Sequence, residues 1–349
     1  MSPIRMTSNE GIQTADTKTC LFCDIQGAPL HGGLRDRLFG APGLWGVLQC
    51  PACGLVWLNP HPCPEENAKL YSGYYTHGEE EKRPRLARLR DKVEAAILAC
   101  SPHRRAFAPT WGWRRIGWAL SLIPPLREMA SMRMMCLDKV KPGKILDVGC
   151  GSGRFLSIMK AAGWDVAGVE NDPAAAKIAR ERYDIPVVAG TLEEAGVADG
   201  LFDCVTLSHV IEHVRDPVGL LRECHRVLKS KGLLVVTTPN IASLGHTKFR
   251  QNWLHLDPPR HFFLFSPKTL GAVAKHSRFQ TVQVRTSSRN AVLTWVASRA
   301  ITRKGTFSYS DISLTSALGG CLFHMREEIS RLGDQSAGEE LVMTACKDA

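Results

Sequence analysis

The chain has 349 residues and a formal net charge of +10, with a pI of about 9.1. This length accommodates a full α/β domain and one or two small modules. The basic charge permits an acidic partner such as nucleic acid, anionic lipid or a phosphorylated molecule, without establishing one. Residues 1–11 are polar and no apolar run approaches the roughly 18 residues that span a bilayer. We therefore expect a cytoplasmic protein without a secretory leader or membrane span.

Two Cys-x-x-Cys pairs come first along the chain, Cys20 with Cys23 and Cys50 with Cys53. Each pair offers two thiolates on one tight turn, and two pairs complete a tetrahedral four-cysteine zinc site. No open ligand position is indicated, so the spacing predicts a structural zinc in a small module over residues 1–62. Free thiols and a redox pair are the alternatives. The remaining cysteines are scattered, as expected in a reducing compartment.

A helical linker or cap is expected over residues 63–140. Its first part holds a predicted helix, Glu65–Tyr71, two further tyrosines, Tyr74 and Tyr75, and a charged stretch, Glu79–Arg83. Beyond these, Leu86, Leu89, Val93, Ile97 and Leu98 recur at helical spacing.

Three tryptophans, Trp111, Trp113 and Trp118, follow together with Arg114 and Arg115. One interpretation is a helical cap whose aromatic side chains pack on the main domain. Another is an amphipathic segment within 107–135 that contacts a membrane surface or a lipid-like substrate. A nucleic-acid-binding stripe is the third.

The stretch Lys144–Phe155 is organised as strand, glycine turn and helix. The apolar run Ile145–Val148 is typical of a buried parallel strand. Gly149, Gly151 and Gly153 then allow backbone torsions that other residues avoid and close approach of a ligand. The helix N-terminus behind them favours a negatively charged group.

An acid closes the next predicted strand, Asp165–Glu170. A nucleotide-binding βαβ unit places an acid there to bond ribose hydroxyls. Arg154 stands where the dinucleotide fingerprint needs its third glycine, which argues against NAD or FAD. A glycine turn that merely joins strand to helix is the alternative without a ligand.

The run from Asp147 to Gly153 resembles motif I of the class I S-adenosylmethionine (SAM) methyltransferases. The resemblance implies a Rossmann-like seven-stranded sheet, with the turn against the methionine part of SAM and Glu170 on the ribose. The adenine would lie near Thr191 and Leu192, where backbone contact is expected. The full set of cofactor-binding residues that it implies is Asp147, Gly149, Cys150, Gly151, Gly153, Glu170, Asn171, Thr191, Leu192 and Ser208. The two cysteine pairs and the tyrosines resemble the N-terminal module of a group of bacterial SAM methyltransferases, in which it helps to cover the acceptor site.

The methyltransferase domain is expected over residues 141–349. Further strands are predicted at Pro186–Ala189, Leu201–Leu207, Leu233–Thr238, Phe279–Arg285 and Glu340–Cys346. The resemblance implies that the last two pair antiparallel at the end of the sheet, with an insertion at about 289–337 between them.

Four histidines, His209, His213, His255 and His261, are candidate general bases. They follow the predicted fourth and fifth strands, on the side of the sheet where ligands bind. Methyl transfer to oxygen or carbon needs a proton acceptor, and histidine titrates near neutral pH. Arg260 could hold an anionic acceptor group, or pair with Asp257 and fasten its loop to the N-terminal module.

The predicted activity is methyl transfer from SAM to an oxygen or carbon of a small molecule, such as a sugar, a lipid-like compound or a secondary metabolite. No Asp/Asn-Pro-Pro-Tyr motif follows the fourth strand, which lowers the case for amide or exocyclic nitrogen acceptors. An RNA methyltransferase is the second interpretation, and it predicts strongly salt-dependent binding. A catalytically silent protein that binds SAM and zinc is the third.

Overall fold

The computed structural model describes residues 6–70, 85–101 and 110–348. The predicted tyrosine cluster, the charged stretch Glu79–Arg83 and residues 107–109 of the predicted amphipathic segment lie outside these ranges, and the side chain of Leu86 is not described. Within the described residues, no helix is both long and apolar enough to cross a membrane.

The described strands form three sheets, of three, seven and four strands. In chain order they are β1 (Met6–Asn9), β2 (Ile12–Ala15), β3 (Ala28–Leu34), β4 (Trp45–Gln49), β5 (Val56–Asn59), β6 (His61–Pro62), β7 (Lys144–Val148), β8 (Asp165–Glu170), β9 (Val187–Ala189), β10 (Phe202–Ser208), β11 (Leu228–Pro239), β12 (Phe263–Leu264), β13 (Thr281–Ser287) and β14 (Glu340–Cys346).

Along the chain, most helices either precede the first strand of the seven-stranded sheet or connect its strands. They are α1 (Asn67–Leu70), α2 (Arg85–Leu98), α3 (Trp111–Ser121), α4 (Pro124–Met132), α5 (Arg154–Ala161), α6 (Pro173–Tyr183), α7 (Pro217–Val227), α8 (Leu244–Phe249), α9 (Pro267–His276), α10 (Ala291–Lys304) and α11 (Leu314–Gly333).

The seven-stranded sheet has the order β13-β14-β11-β10-β7-β8-β9. Five consecutive strands of this order, β11, β10, β7, β8 and β9, run parallel to one another. The strand β14 lies antiparallel between β11 and β13. This confirms the predicted Rossmann-like fold. The apolar runs form strands because both faces of the sheet are covered: Ile145, Val205 and Leu234 are all fully buried.

The chain reverses its direction of strand addition at β7, whose two neighbours are β8 and β10. In open parallel sheets a crevice opens at such a switch point, outside the carboxyl ends of the strands, and ligands bind there. The glycine turn after β7 and the segment after β10 both lie at this point.

One strand from the middle of the predicted methyltransferase domain belongs to another sheet. β12 pairs antiparallel with β5 and completes the four-stranded sheet β12-β5-β4-β3, with Phe263 opposite Trp57. The amide of Leu58 also donates to the carbonyl of Phe262 at 2.9 Å. The N-terminal module therefore shares backbone hydrogen bonds with the domain that follows it.

The predicted insertion is a helical hairpin, because α10 and α11 occupy the chain between β13 and β14. Ser313 begins α11 with a reciprocal capping box to Ser316, and Gly305 ends α10 at a φ of 83°. Ala297 and Ile301 on α10 are buried against the segment that precedes β12.

The helices α2, α3 and α4 pack together, as a cap requires. A side chain at Gly117 of α3 would meet the carbonyl oxygen of Ala96 at 2.0 Å, so these helices touch backbone to backbone. Trp111 and Trp118 do not pack on the domain, however, since 69% and 63% of their surfaces are exposed. The interpretation that all three tryptophans cover the domain is therefore wrong for these two.

Candidate active site

The glycine turn after β7 has the backbone torsions that the sequence predicts. Gly149, Gly151 and Gly153 have φ values of 71°, 54° and 81°. At Gly153 a side chain would meet the Cβ of Ala179 at 2.7 Å, whereas a side chain at Gly151 would project into open space. The turn is thus closed on its helix side and open on the side where a ligand can approach.

Glu170 ends β8 and fastens this turn. One carboxylate oxygen accepts the amide of Gly151 at 2.7 Å, and the other accepts the amide of Asp172 at 2.8 Å. The residue is only 9% exposed. A carboxylate offers about four lone-pair positions, so each oxygen can still accept a hydroxyl group. Two vicinal ribose hydroxyls fit this arrangement.

Asp147 lies within β7, next to the turn. It is 3% exposed, and the hydroxyl of Thr206 donates to it at 2.7 Å. Burial raises the pKa of Asp147 to about 7, with Thr206 opposing the rise and Glu170 adding to it. A positively charged ligand group beside this carboxyl would favour its ionised form.

The other predicted cofactor residues lie at the same edge of the sheet. Asn171 and Ser208 are exposed after β8 and at the end of β10, while Leu192 is buried. The amide of Thr191 donates to Glu194 at 2.9 Å. Cys150 is a buried side chain, and burial raises the pKa of its thiol, so it is held as an unreactive thiol.

The segment after β10 lies directly against the glycine turn. A side chain at Gly149 would meet Cγ2 of Val210 at 2.5 Å, and Val210 directly follows His209 and lies two residues before Glu212. The predicted histidines after β10 are therefore neighbours of the predicted SAM site.

His209 lies between two carboxylates. Its Nε2 lies 2.7 Å from Glu340 and its Nδ1 lies 3.2 Å from Glu212. Burial opposes the charge, but these hydrogen bonds raise the pKa of His209 to about 10. A charged imidazole has no lone pair for a proton, so these contacts count against His209 as a general base, and its catalytic role stays a prediction.

His213 and His261 form a pair with their rings 4.6 Å apart, centre to centre. Nδ1 of His213 donates to the carbonyl of Arg260 at 3.1 Å, and Nδ1 of His261 donates to the carbonyl of His255 at 2.8 Å. With the hydrogen on Nδ1, the lone pair of each neutral imidazole is on Nε2. Burial and the neighbouring His261 lower the pKa of His213 to about 4. These two residues remain candidate bases.

His255 is placed differently. Its Nε2 lies 2.9 Å from the hydroxyl of Thr294 on α10, and burial lowers its pKa to about 3. It supports His261 through its backbone carbonyl, and its ring nitrogen is engaged with the helical hairpin. These contacts favour a positioning role for His255, and its predicted catalytic role stays a prediction.

Arg260 is completely buried and points into the N-terminal module. Its guanidinium group donates to both oxygens of Asp36 at 2.8 Å, and it also pairs with Asp257. This arrangement matches the alternative in which Arg260 fastens its loop, with Asp36 as an additional partner. An acceptor anion has no access to it.

The four predicted metal-ligating cysteines come together in one cluster. Their sulfur atoms all lie within 4.8 Å of one another, and Cys20 Sγ is 3.6 Å from Cys53 Sγ. Two ligands of a tetrahedral zinc at 2.3 Å would be about 3.8 Å apart. Burial raises the pKa of the Cys50 thiol, but the amides of Cys53 and Ala52 lower it to about 7. Spacing and donor chemistry therefore fit zinc.

Three functional contacts were not predicted from the sequence. Thr206 as the partner of Asp147, Glu212 as a member of the histidine cluster, and Asp36 as the partner of Arg260 each depend on folding. Glu212 did carry a signal, since it lies between two candidate histidines just after a predicted strand.

Solved structures with a similar fold include a SAM-dependent methyltransferase from Archaeoglobus fulgidus. It is 22% identical, with a TM-score of 0.43, over 63% of this chain and 94% of that chain.

Curated relatives match shorter stretches. A probable SAM-dependent methyltransferase of Mycobacterium tuberculosis is 37% identical over 97 residues, which are 28% of this chain and 35% of the relative. The ubiquinone biosynthesis O-methyltransferase of Thiobacillus denitrificans is 32% identical over 126 residues, which are 33% of this chain and 54% of the relative. The chain thus spans about a third to a half of the length of these relatives.

A family described as a methyltransferase domain matches residues 124–284. This range contains the glycine turn, Glu170, the segment after β10 and the loop that carries His261. Residues 124–284 are therefore similar to a methyltransferase domain.

Proposed function

We propose that this protein transfers the methyl group of SAM to an oxygen atom of a small molecule. The observation that carries the proposal is the open glycine turn fastened by Glu170 at the switch point of the sheet. Glu170 would bind the ribose hydroxyls, Asp147 the positively charged methionine end, and Thr191 with Leu192 the adenine.

The reaction is an in-line displacement at the methyl carbon. The acceptor oxygen forms a bond to this carbon while the carbon–sulfur bond breaks, and its electron pair stays on sulfur to give neutral S-adenosylhomocysteine. The hydroxyl proton must leave, and His213 or His261, which each donate Nδ1–H to a backbone carbonyl, would take it up on Nε2. Positioning of the two reactants supplies much of the remaining acceleration.

An oxygen acceptor is favoured by the ubiquinone biosynthesis O-methyltransferases among the relatives. An apolar or membrane-associated acceptor is consistent with α3, where Trp111, Arg115, Trp118 and Leu122 share one face. Mass spectrometry of a metabolite extract incubated with the protein and labelled SAM would identify the acceptor. Methylation of RNA in place of any small molecule, with binding that weakens steeply with salt, would contradict this assignment.

Glu170→Ala is expected to weaken S-adenosylhomocysteine binding by about ten- to 150-fold, since a charge-assisted hydrogen bond contributes roughly 1.5–3 kcal/mol. Isothermal calorimetry measures the change. Glu181→Ala, an exposed acid on α6, is the control and should bind as the wild type does. Unchanged affinity in Glu170→Ala would show that the ribose is held elsewhere.

We further propose that the cysteine cluster binds one structural zinc ion. Cys20→Ser combined with Cys53→Ser is expected to remove about one zinc per chain, because two thiolates cannot close a tetrahedral site. Elemental analysis of the purified protein gives the content. Cys321→Ser, which alters an exposed cysteine on α11, should leave it unchanged. Equal zinc in the double variant and the wild type would contradict the assignment.

A further inference from the structure

A second group of metal-ligating side chains lies beside the predicted SAM site. Glu212, His213 and His261 each present a ligand atom, and these atoms lie within 4.8 Å of one another. Glu212 and His213 follow β10, and His261 precedes β12. The amide of Phe262 donates to the carbonyl of Glu212 at 2.7 Å, which holds the two segments together.

The hydrogen bonds around this group engage Nδ1 of both histidines with the backbone. Both histidines donate Nδ1–H to a backbone carbonyl, the arrangement that orients metal-ligating imidazoles and puts the lone pair on Nε2. Glu212 is fully buried and accepts one hydrogen bond on each oxygen, from His209 and from Thr238. A second lone pair remains on each of these oxygens.

Carboxylates lie around the group on several sides. Among the described residues, His209 lies between Glu212 and Glu340, Arg260 pairs with Asp36 and Asp257, and Nε2 of His261 is 3.9 Å from Asp257. A divalent cation bound by Glu212 would lie among carboxylates that favour its positive charge.

We propose that Glu212, His213 and His261 bind one divalent transition-metal ion, separate from the cysteine cluster. Two imidazoles and one carboxylate suit ions such as Zn²⁺, Co²⁺ or Fe²⁺, whereas Mg²⁺ and Ca²⁺ require mainly oxygen ligands. Three protein ligands leave room for a further ligand. This inference deepens the proposed function: an ion here would bind the acceptor hydroxyl and lower its pKa, so that the proton leaves more easily.

Metal content of the full chain tests the proposal. After incubation with Zn²⁺ and removal of free metal, the wild type is expected to hold about two ions per chain, one in each site. His261→Gln and Glu212→Gln should each lose about one ion, and so should the Cys20→Ser and Cys53→Ser double variant. His276→Gln, an exposed histidine at the end of α9, should keep both. Circular dichroism checks that each variant is folded.

Cobalt substitution identifies the ligands independently of activity. In the double cysteine variant, bound Co²⁺ should absorb without a thiolate-to-metal charge-transfer band, and the remaining absorption should disappear when His261→Gln is added. A wild type that holds about one ion per chain, bound at the cysteines, would overturn the proposal. Lost turnover with unchanged metal content in His261→Gln would overturn it too, and would make His261 a direct base. Two bound ions without turnover on any acceptor would instead overturn the proposed function alone.

Discussion

Replacing His261 by alanine is expected to lower methyl transfer by about 10²- to 10⁴-fold, the usual contribution of a group that takes up a proton in the transition state. With Nδ1–H bonded to the carbonyl of His255, the side chain removed would use Nε2 either to take up the proton or to hold an ion that promotes its loss. Initial rates with labelled SAM and the acceptor found by mass spectrometry measure the effect.

The cofactor site serves as an internal control for this variant. S-adenosylhomocysteine affinity is expected to stay at the wild-type value, since Glu170 and the glycine turn are intact. The melting temperature should fall by no more than about 4 °C, because the hydrogen bond lost to the carbonyl of His255 is worth about 1 kcal/mol. Full activity, or a large loss of stability with activity in proportion to the folded fraction, would assign His261 a structural role.

Replacing Arg260 by methionine is expected to reduce the free energy of unfolding by about 3–5 kcal/mol. The change leaves Asp36 and Asp257 as buried carboxylates without their cation, and both partners of the ion pair with Asp36 are completely shielded from solvent. Because typical domains have about 5–15 kcal/mol of stability, this is a large share of the total. Urea unfolding followed by circular dichroism measures it.

The chain offers a matched control in Arg35, which donates to both oxygens of Glu10 at 2.9 Å on the surface. Arg35→Met removes a pair of the same geometry in water and should lower the stability far less than Arg260→Met does. Arg260→Lys should rescue little, since an ammonium group cannot reproduce the bidentate geometry. Similar losses in Arg260→Met and Arg35→Met would mean that the buried pair contributes no more than an exposed one.

Most strands of the seven-stranded sheet were predictable because each depends on a local sequence pattern. β8 and β14 have the predicted bounds, and β7 follows from its apolar run and glycine turn. β11 begins at Leu228, five residues before the predicted start. The residues that follow Leu228 are polar or glycine, so the sequence shows no apolar run there that would predict a strand. β12 was not predicted, because its pairing with β5 joins segments about two hundred residues apart and leaves no periodicity at either end.

The candidate site likewise contains residues that a local motif predicts and contacts that only the folded chain forms. The glycines and Glu170 were found because a short motif places them in one βαβ unit. The contact between His209 and Glu340 was not, since these residues lie 131 positions apart in the sequence. Likewise the sequence places Asp257 near Arg260, but Asp36 reaches it only in the folded chain. Motifs identify a site whose residues are close in sequence, whereas long-range contacts decide which histidine can accept a proton.

The strand that completes the N-terminal sheet has a consequence for the order of events during synthesis. The ion pair between Asp36 and Arg260 joins residues 224 positions apart. At about 5–20 residues per second, a ribosome needs roughly 10 to 45 s to deliver Arg260 and β12 after Asp36 has emerged. Throughout that interval the edge of β5 is open to pairing with other chains. Until the segment between β11 and α9 arrives, the nascent N-terminal module therefore lacks the strand that completes its four-stranded sheet.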